Sequence, residues 1–133
     1  MSSHRDRCLL LVEDDELVRD TVALMLEEEG FEVIEAAGAA EALRLVRDGL
    51  ETPVIVTDVD LGAGPSGADL ADALHRLRPD VRIIFITGRL ASLDNRTLDE
   101  REAILPKPFE SAALSRLVRR MSRGPEPDRT GRR

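Results

Sequence analysis

Five polar residues stand where short apolar runs of this chain stop, and they form a chemically coherent set. Cys8-Leu9-Leu10-Leu11-Val12 stops in Glu13-Asp14. Val54-Ile55-Val56-Thr57, opened by Pro53, stops in Asp58. Ile83-Ile84-Phe85-Ile86 stops in Thr87-Gly88, and Ala103-Ile104-Leu105 runs into Pro106-Lys107-Pro108-Phe109. Three carboxylates brought together repel and raise one another's pKa unless a cation sits among them. A small hard dication with oxygen ligands answers this, and Mg²⁺ suits because it keeps several waters and needs few carboxylates. A dication, one carboxylate nucleophile and one ammonium are equipment for phosphoryl transfer. The cations neutralise charge on the phosphoryl oxygens, a hydroxyl hydrogen-bonds one of them, and the carboxylate forms an acyl phosphate.

Such a set works only if the chain brings it to one place. The apolar runs at 8–12, 54–57 and 83–86 are continuous, as in strands buried on both faces of a parallel sheet. Phe31 to Ala36 alternates acidic and apolar residues, which predicts a strand nearer an edge. Between the strands lie helical stripes: Val18, Val22, Met25 and Leu26; Ala39, Ala42, Leu43 and Val46; Leu70, Leu74 and Leu77; Leu114, Leu117, Val118 and Met121. Asp15 or Asp14 can cap the first helix and Gly30 stops it. Gly49 closes the second, and Pro79 ends the third. Residues 88–102 are polar and weakly patterned, predicting a short or frayed helix. The order βαβαβαβαβα implies an α/β fold: a doubly wound parallel sheet with helices on both faces. In such a sheet ligands bind outside the carboxyl ends of the strands, where all five residues sit.

Bulk properties agree. The chain has 133 residues, the size of one domain, and 42% are hydrophobic. Aromatics are 2%, with no Trp or Tyr, so stacking on bases is not expected of this surface. Net charge is −7, although the last twelve residues carry four Arg against one Glu and one Asp. An acidic body argues against direct DNA binding and suits a cation or a basic partner. Cys8 alone forms no disulfide framework and reads as a small buried hydrophobe in a reducing compartment. No stretch approaches the roughly 18 apolar residues of a membrane span, and no signal peptide stands out. A cytoplasmic protein without membrane contact is expected. Of the 19 basic residues only Lys107 is a lysine, so position 107 keeps a compact ammonium in a chain that otherwise uses the planar guanidinium. His4 and His75 read as solvated. Residues 1–6 are expected to be a flexible N-terminus, 7–121 the domain, and 122–133 a disordered tail.

Val12-Glu13-Asp14-Asp15, Thr57-Asp58-Val59-Asp60-Leu61, Phe85-Ile86-Thr87-Gly88 and Pro106-Lys107-Pro108-Phe109 come in this order, each at a strand end. With them the chain resembles the receiver domains of two-component response regulators, over about residues 7 to 121. That resemblance implies a five-stranded flavodoxin-like sheet of order 2-1-3-4-5. It implies a phosphoacceptor at Asp58, served by a histidine kinase or histidine phosphotransfer protein. It implies Mg²⁺ held by Asp14 and Asp58, by Glu13 through water, and by the backbone carbonyl of Asp60. Thr87 would move toward the phosphoryl group, Lys107 would pair with one of its oxygens, and Gly88 would leave it room. The chain would be a signalling switch rather than an enzyme, with slow self-dephosphorylation and a downstream protein as its output. A stand-alone regulator is expected, and the flank of the last helical stripe could join a homodimer or partner contact. Asp60 and Arg89, of opposite charge, would pair across the mouth of the site and slow hydrolysis.

The chain also departs from the family's pattern. Ile104 stands where an aromatic switch residue is usual. The stretch from Thr87 to Lys107 is short, Gly62 stands where Pro is common, and Gly67 comes one residue late. Two rival functions follow. A phosphorylation-independent binding module on the same scaffold fits the missing aromatic but not the complete five-residue set. Asp58-Val59-Asp60 also resembles the Asp-x-Asp of haloacid-dehalogenase-type phosphohydrolases, but there it usually ends the first strand, and no second Asp pair follows Lys107. Steady turnover of a phosphomonoester with Mg²⁺ would favour the phosphohydrolase.

Overall fold

The computed structural model describes residues 7–93 and 96–123, without the side chains of Leu90 and Ala91. Five strands, β1 (Cys8–Val12), β2 (Glu32–Ala36), β3 (Val54–Asp58), β4 (Arg82–Thr87) and β5 (Glu102–Pro106), form one parallel sheet in the order β2-β1-β3-β4-β5. Four helices lie between and after them: α1 (Glu16–Glu28), α2 (Ala39–Arg47), α3 (Gly67–Leu77) and α4 (Ser111–Ser122).

The alternation along each strand splits the core into two layers. Leu10, Val12, Ile55, Ile83 and Phe85 pack under α2 and α3. Leu9, Leu11, Val54, Val56, Ile84 and Ile86 pack under α1 and α4. Because both faces are covered, β1 and β3 are buried at every position. The edge strand β2 is only partly covered, hence its alternating sequence. Asp15, not Asp14, caps α1: its carboxylate accepts from Val18 N at 3.1 Å. At the other end the chain turns through Gly30, whose φ of +98° favours glycine. α3 opens with a reciprocal capping box between Ser66 and Asp69.

Several expectations need correction. The short or frayed helix expected in 88–102 is the 3-10 helix Leu90–Leu93, and the described residues there hold no α-helix. The segment has no apolar stripe to bury, so nothing drives a longer helix. Arg96 covers that part of the sheet instead, with its guanidinium 5.2 Å from the Phe85 ring centroid. His75 is not solvated: its Nε2 is 3.0 Å from the Val81 carbonyl and its Nδ1 3.5 Å from Glu102. Val18 and Leu77, in the first and last turns of their helices, are 36% and 40% exposed rather than buried with their stripes. Ser122, counted with the tail, is the last residue of α4, and its hydroxyl donates to the Arg119 carbonyl. Cys8 is buried and free. His4, the expected flexible 1–6 and the expected tail from 124 lie outside the described residues. Among the described residues no helix is long and apolar enough to cross a membrane.

Candidate phosphoacceptor site

The strand register brings the five residues to one edge. Val12 pairs with Thr57, so Glu13 emerges level with Asp58. Asp58 pairs with Ile86, one residue before Thr87, and Thr87 pairs with Pro106, one residue before Lys107. The Lys107 N–H donates to the Thr87 carbonyl at 2.8 Å, fixing the start of the lysine's reach. Its Nζ then donates to Asp58 Oδ2 at 2.7 Å. The Lys107–Pro108 peptide is cis.

Asp58 is only 8% exposed and Glu13 only 6%. Backbone donors order both carboxylates: Asp60 N–H donates to Asp58 Oδ1 at 3.0 Å, and Asp15 N–H to Glu13 Oε2 at 3.0 Å. Burial pushes the Glu13 carboxyl up to about 7, and the neighbouring Asp58 and Asp14 carboxylates add to the push against the Asp15 N–H. For Lys107, burial alone would lower the ammonium's pKa. The bond to Asp58 and the charges of Asp58, Glu13 and Asp14 outweigh it, and the net shift is upward. The ammonium therefore stays charged at neutral pH.

Thr87 is buried, and its hydroxyl is engaged with Arg89: it accepts from Arg89 N–H at 2.9 Å and donates to Arg89 O at 3.0 Å. Beyond it, Arg89 and Asp60 stand 4.0 Å apart with both side chains mostly exposed. The pairing expected across the mouth is thus present at the outer limit of an ion pair.

Two glycines belong to the site in a way the sequence reading missed. A Cβ on Gly67 would collide with the Asp58 carbonyl oxygen and crowd the Val59 backbone. Gly67 therefore lets the N-terminus of α3 rest against the Asp58 peptide, and its N–H donates to the Val59 carbonyl at 2.7 Å. A Cβ on Gly62, whose φ is +75°, would stand 2.7 Å from Asp14 Oδ2. The available signal was the departure itself: glycine in place of proline, and a glycine one step late. Ile104, in the usual aromatic's place, is half-buried opposite Phe85 in the register.

The donor set suits Mg²⁺. Glu13, held up near neutral pH by burial first and by Asp58 and Asp14 after it, lies where three carboxylates face the single Lys107 ammonium. Among the described residues no three acidic side chains are gathered closely enough to enclose a metal by themselves. A cleft of about 430 Å³ lies at the other end of the sheet, lined by Leu50, Pro53, Arg78, Val81 and Arg82 among others, and none of the five residues line it.

Comparisons with known proteins give the same picture. Residues 9–119 match the family described as response regulator receiver domain. The chain is 34% identical over 85% of its length to the sensor kinase CckA of Brucella abortus, of which it covers 12%. It is 32% identical over 84% of its length to the DNA-binding transcriptional regulator NtrC of Azospirillum brasilense, of which it covers 23%. It thus spans a small part of these relatives. The fold matches a response regulator receiver protein from Sinorhizobium medicae with a TM-score of 0.81 and 25% identity, over 90% of this chain and 96% of the other. With β2-β1-β3-β4-β5 order, an acidic strand-end set and this match over most of its length, the chain belongs to the response regulator receiver domain family of two-component systems.

Proposed function

We propose that the chain is a phosphorylation-driven switch whose acceptor is Asp58, loaded from a phosphohistidine on a histidine kinase or phosphotransfer protein. The observation that carries this reading is the 2.7 Å bond from Lys107 to a nearly buried Asp58 carboxylate, joining two strand ends 49 residues apart in sequence. A carboxylate oxygen of Asp58 attacks phosphorus, the P–N bond of the phosphoimidazole breaks, and an acyl phosphate forms. Lys107 follows the charge from carboxylate to phosphoryl oxygen. Thr87 exchanges its two bonds with the Arg89 backbone for one to the phosphoryl group, which loosens the segment after β4. Asp14 and Asp58, with Glu13 through water and the Asp60 carbonyl, would hold Mg²⁺. The ion, when bound, neutralises charge on the phosphoryl oxygens. The output is a change in protein contacts.

Exposure to acetyl phosphate and Mg²⁺, followed by intact-mass measurement, tests this. The wild type should gain one phosphoryl mass and Asp58→Ala none. Absence of any gain, from small-molecule or kinase donors, would leave a phosphorylation-independent module as the better reading. Arg89→Ala should shorten the acyl phosphate's lifetime, because the arginine no longer pairs with Asp60 across the path of an attacking water. An unchanged dephosphorylation rate would remove Arg89 from the mechanism.

A further inference from the structure

Arg19 closes the first turn of α1 and points back over the loop that follows β1. Its NH1 donates to the backbone carbonyl of Glu13 at 2.8 Å, and its Nε donates to Glu35 Oε1 on β2 at 3.2 Å. Its side chain is only 16% exposed. The Glu13 main chain is thereby gripped from both sides, since its N–H donates to the Ala36 carbonyl of β2 at 3.1 Å. The carbonyl that Arg19 holds belongs to the peptide joining Glu13 to Asp14, so its orientation sets the direction in which Asp14 leaves the chain. We infer that Arg19 is a positioning residue for the acidic pair: it orients the Glu13–Asp14 peptide so that Asp14 can reach a divalent cation.

Sequence and charge both point to this need. Glu13, Asp14, Asp15 and Glu16 are consecutive acidic residues, and like charges drive such a loop to spread. The fork of a guanidinium donates in two fixed directions, one to the loop and one to a neighbouring strand. An ammonium offers only a flexible point charge. Groups that orient metal ligands commonly change metal affinity by 10–100-fold when removed.

The inference rests on the Mg²⁺-assisted reading above, and its test keeps the two separate. Mg²⁺ dissociation constants are measured by titration calorimetry on the wild type, Asp14→Asn, Arg19→Gln and Arg19→Lys, with the thermal midpoint of each metal-free variant recorded alongside. Through-space charge and positioning predict opposite outcomes. Removing a positive charge in Arg19→Gln would by Coulomb attraction alone tighten a cation, and charge-conserving Arg19→Lys would leave it unchanged. Positioning predicts that both variants weaken Mg²⁺ by about tenfold, and that saturating Mg²⁺ restores the rate of acetyl phosphate uptake to the wild-type value. Tighter or unchanged binding in Arg19→Gln, or unchanged binding in Arg19→Lys, overturns the inference. Should Arg19→Gln not fold, Arg19→Lys decides alone. No Mg²⁺ binding by the wild type, or equal binding by Asp14→Asn, would instead refute the metal reading itself.

Discussion

Glu13 is the residue at which burial and function pull in opposite directions. Its carboxyl is pressed against Asp58 and Asp14, and burial first, then their charges, push it up to about 7 from an ordinary 4.5. A carboxyl that holds its proton more tightly in the folded chain than in the unfolded one stabilises the fold at low pH. That contribution is complete below about 4.5 and lost as pH rises through about 7. In metal-free buffer, Glu13→Gln should therefore gain stability over the wild type as pH climbs across that window, with no further gain above it. Urea midpoints at pH 5, 6, 7 and 8 would reveal this, and a difference that does not change with pH would contradict the assignment. On the proposed metal-assisted reading the same carboxylate, once deprotonated, would serve a cation, and a cost in stability would be retained where the site needs charge.

At the scale of elements, the connection from β4 to β5 is where this chain parts from the expected pattern. Its described residues hold a 3-10 helix, Leu90–Leu93, and no α-helix, and a side chain does the covering. Arg96 stacks on Phe85, makes a bidentate pair with the buried Glu102 at 3.1 and 2.6 Å, and reaches Asp72 of α3 at 3.0 Å. The hydrogen bonding to Glu102, more than the contact with Asp72, holds its guanidinium pKa above the usual arginine value despite burial. Removing one partner of such a pair leaves a buried charge uncompensated. Arg96→Met should cost about 3–5 kcal/mol, read from the urea midpoint. The double variant Arg96→Met with Glu102→Leu should recover much of that loss. If the single variant is neutral, the pair does not tie the segment down.

This segment also marks the limit of what could be read in advance. The runs at 8–12 and 54–58 are legible because a continuous apolar run ending in a carboxylate has few homes other than a buried parallel strand. Lys107 is legible because it is the one lysine among eighteen arginines. The roles of Arg96, His75 and Gly67 are not legible, because each depends on partners remote in the chain: Phe85 and Glu102, Val81 and Glu102, and the Asp58 carbonyl. Periodicity describes which face of an element is apolar. It is silent on which polar side chain reaches across to another element.

Taken whole, the molecule is a sheet sealed on both faces, with its candidate chemistry confined to one edge. A cation that binds this edge in the native state and not in the unfolded chain must raise stability by mass action. At ten times its dissociation constant, Mg²⁺ should contribute about 1.4 kcal/mol. For a chain of this length that is a rise in thermal midpoint on the order of 5 °C. Calorimetric scans with and without Mg²⁺ would register it, and Asp14→Asn should lose most of it. A midpoint indifferent to Mg²⁺ in the wild type would weigh against a metal-assisted site.

The Lys107–Asp58 contact has a practical side as well. The chain has neither Trp nor Tyr, so the usual intrinsic fluorophores cannot follow Asp58. It does have a single ε-ammonium, and that group sits 2.7 Å from Asp58 Oδ2. Grown with ¹⁵N-labelled lysine, the protein would show one side-chain ammonium resonance in its nitrogen spectrum. That lone signal would report on the carboxylate and, on the proposed reading, on its acyl phosphate and the exchange between them, without a foreign probe being attached.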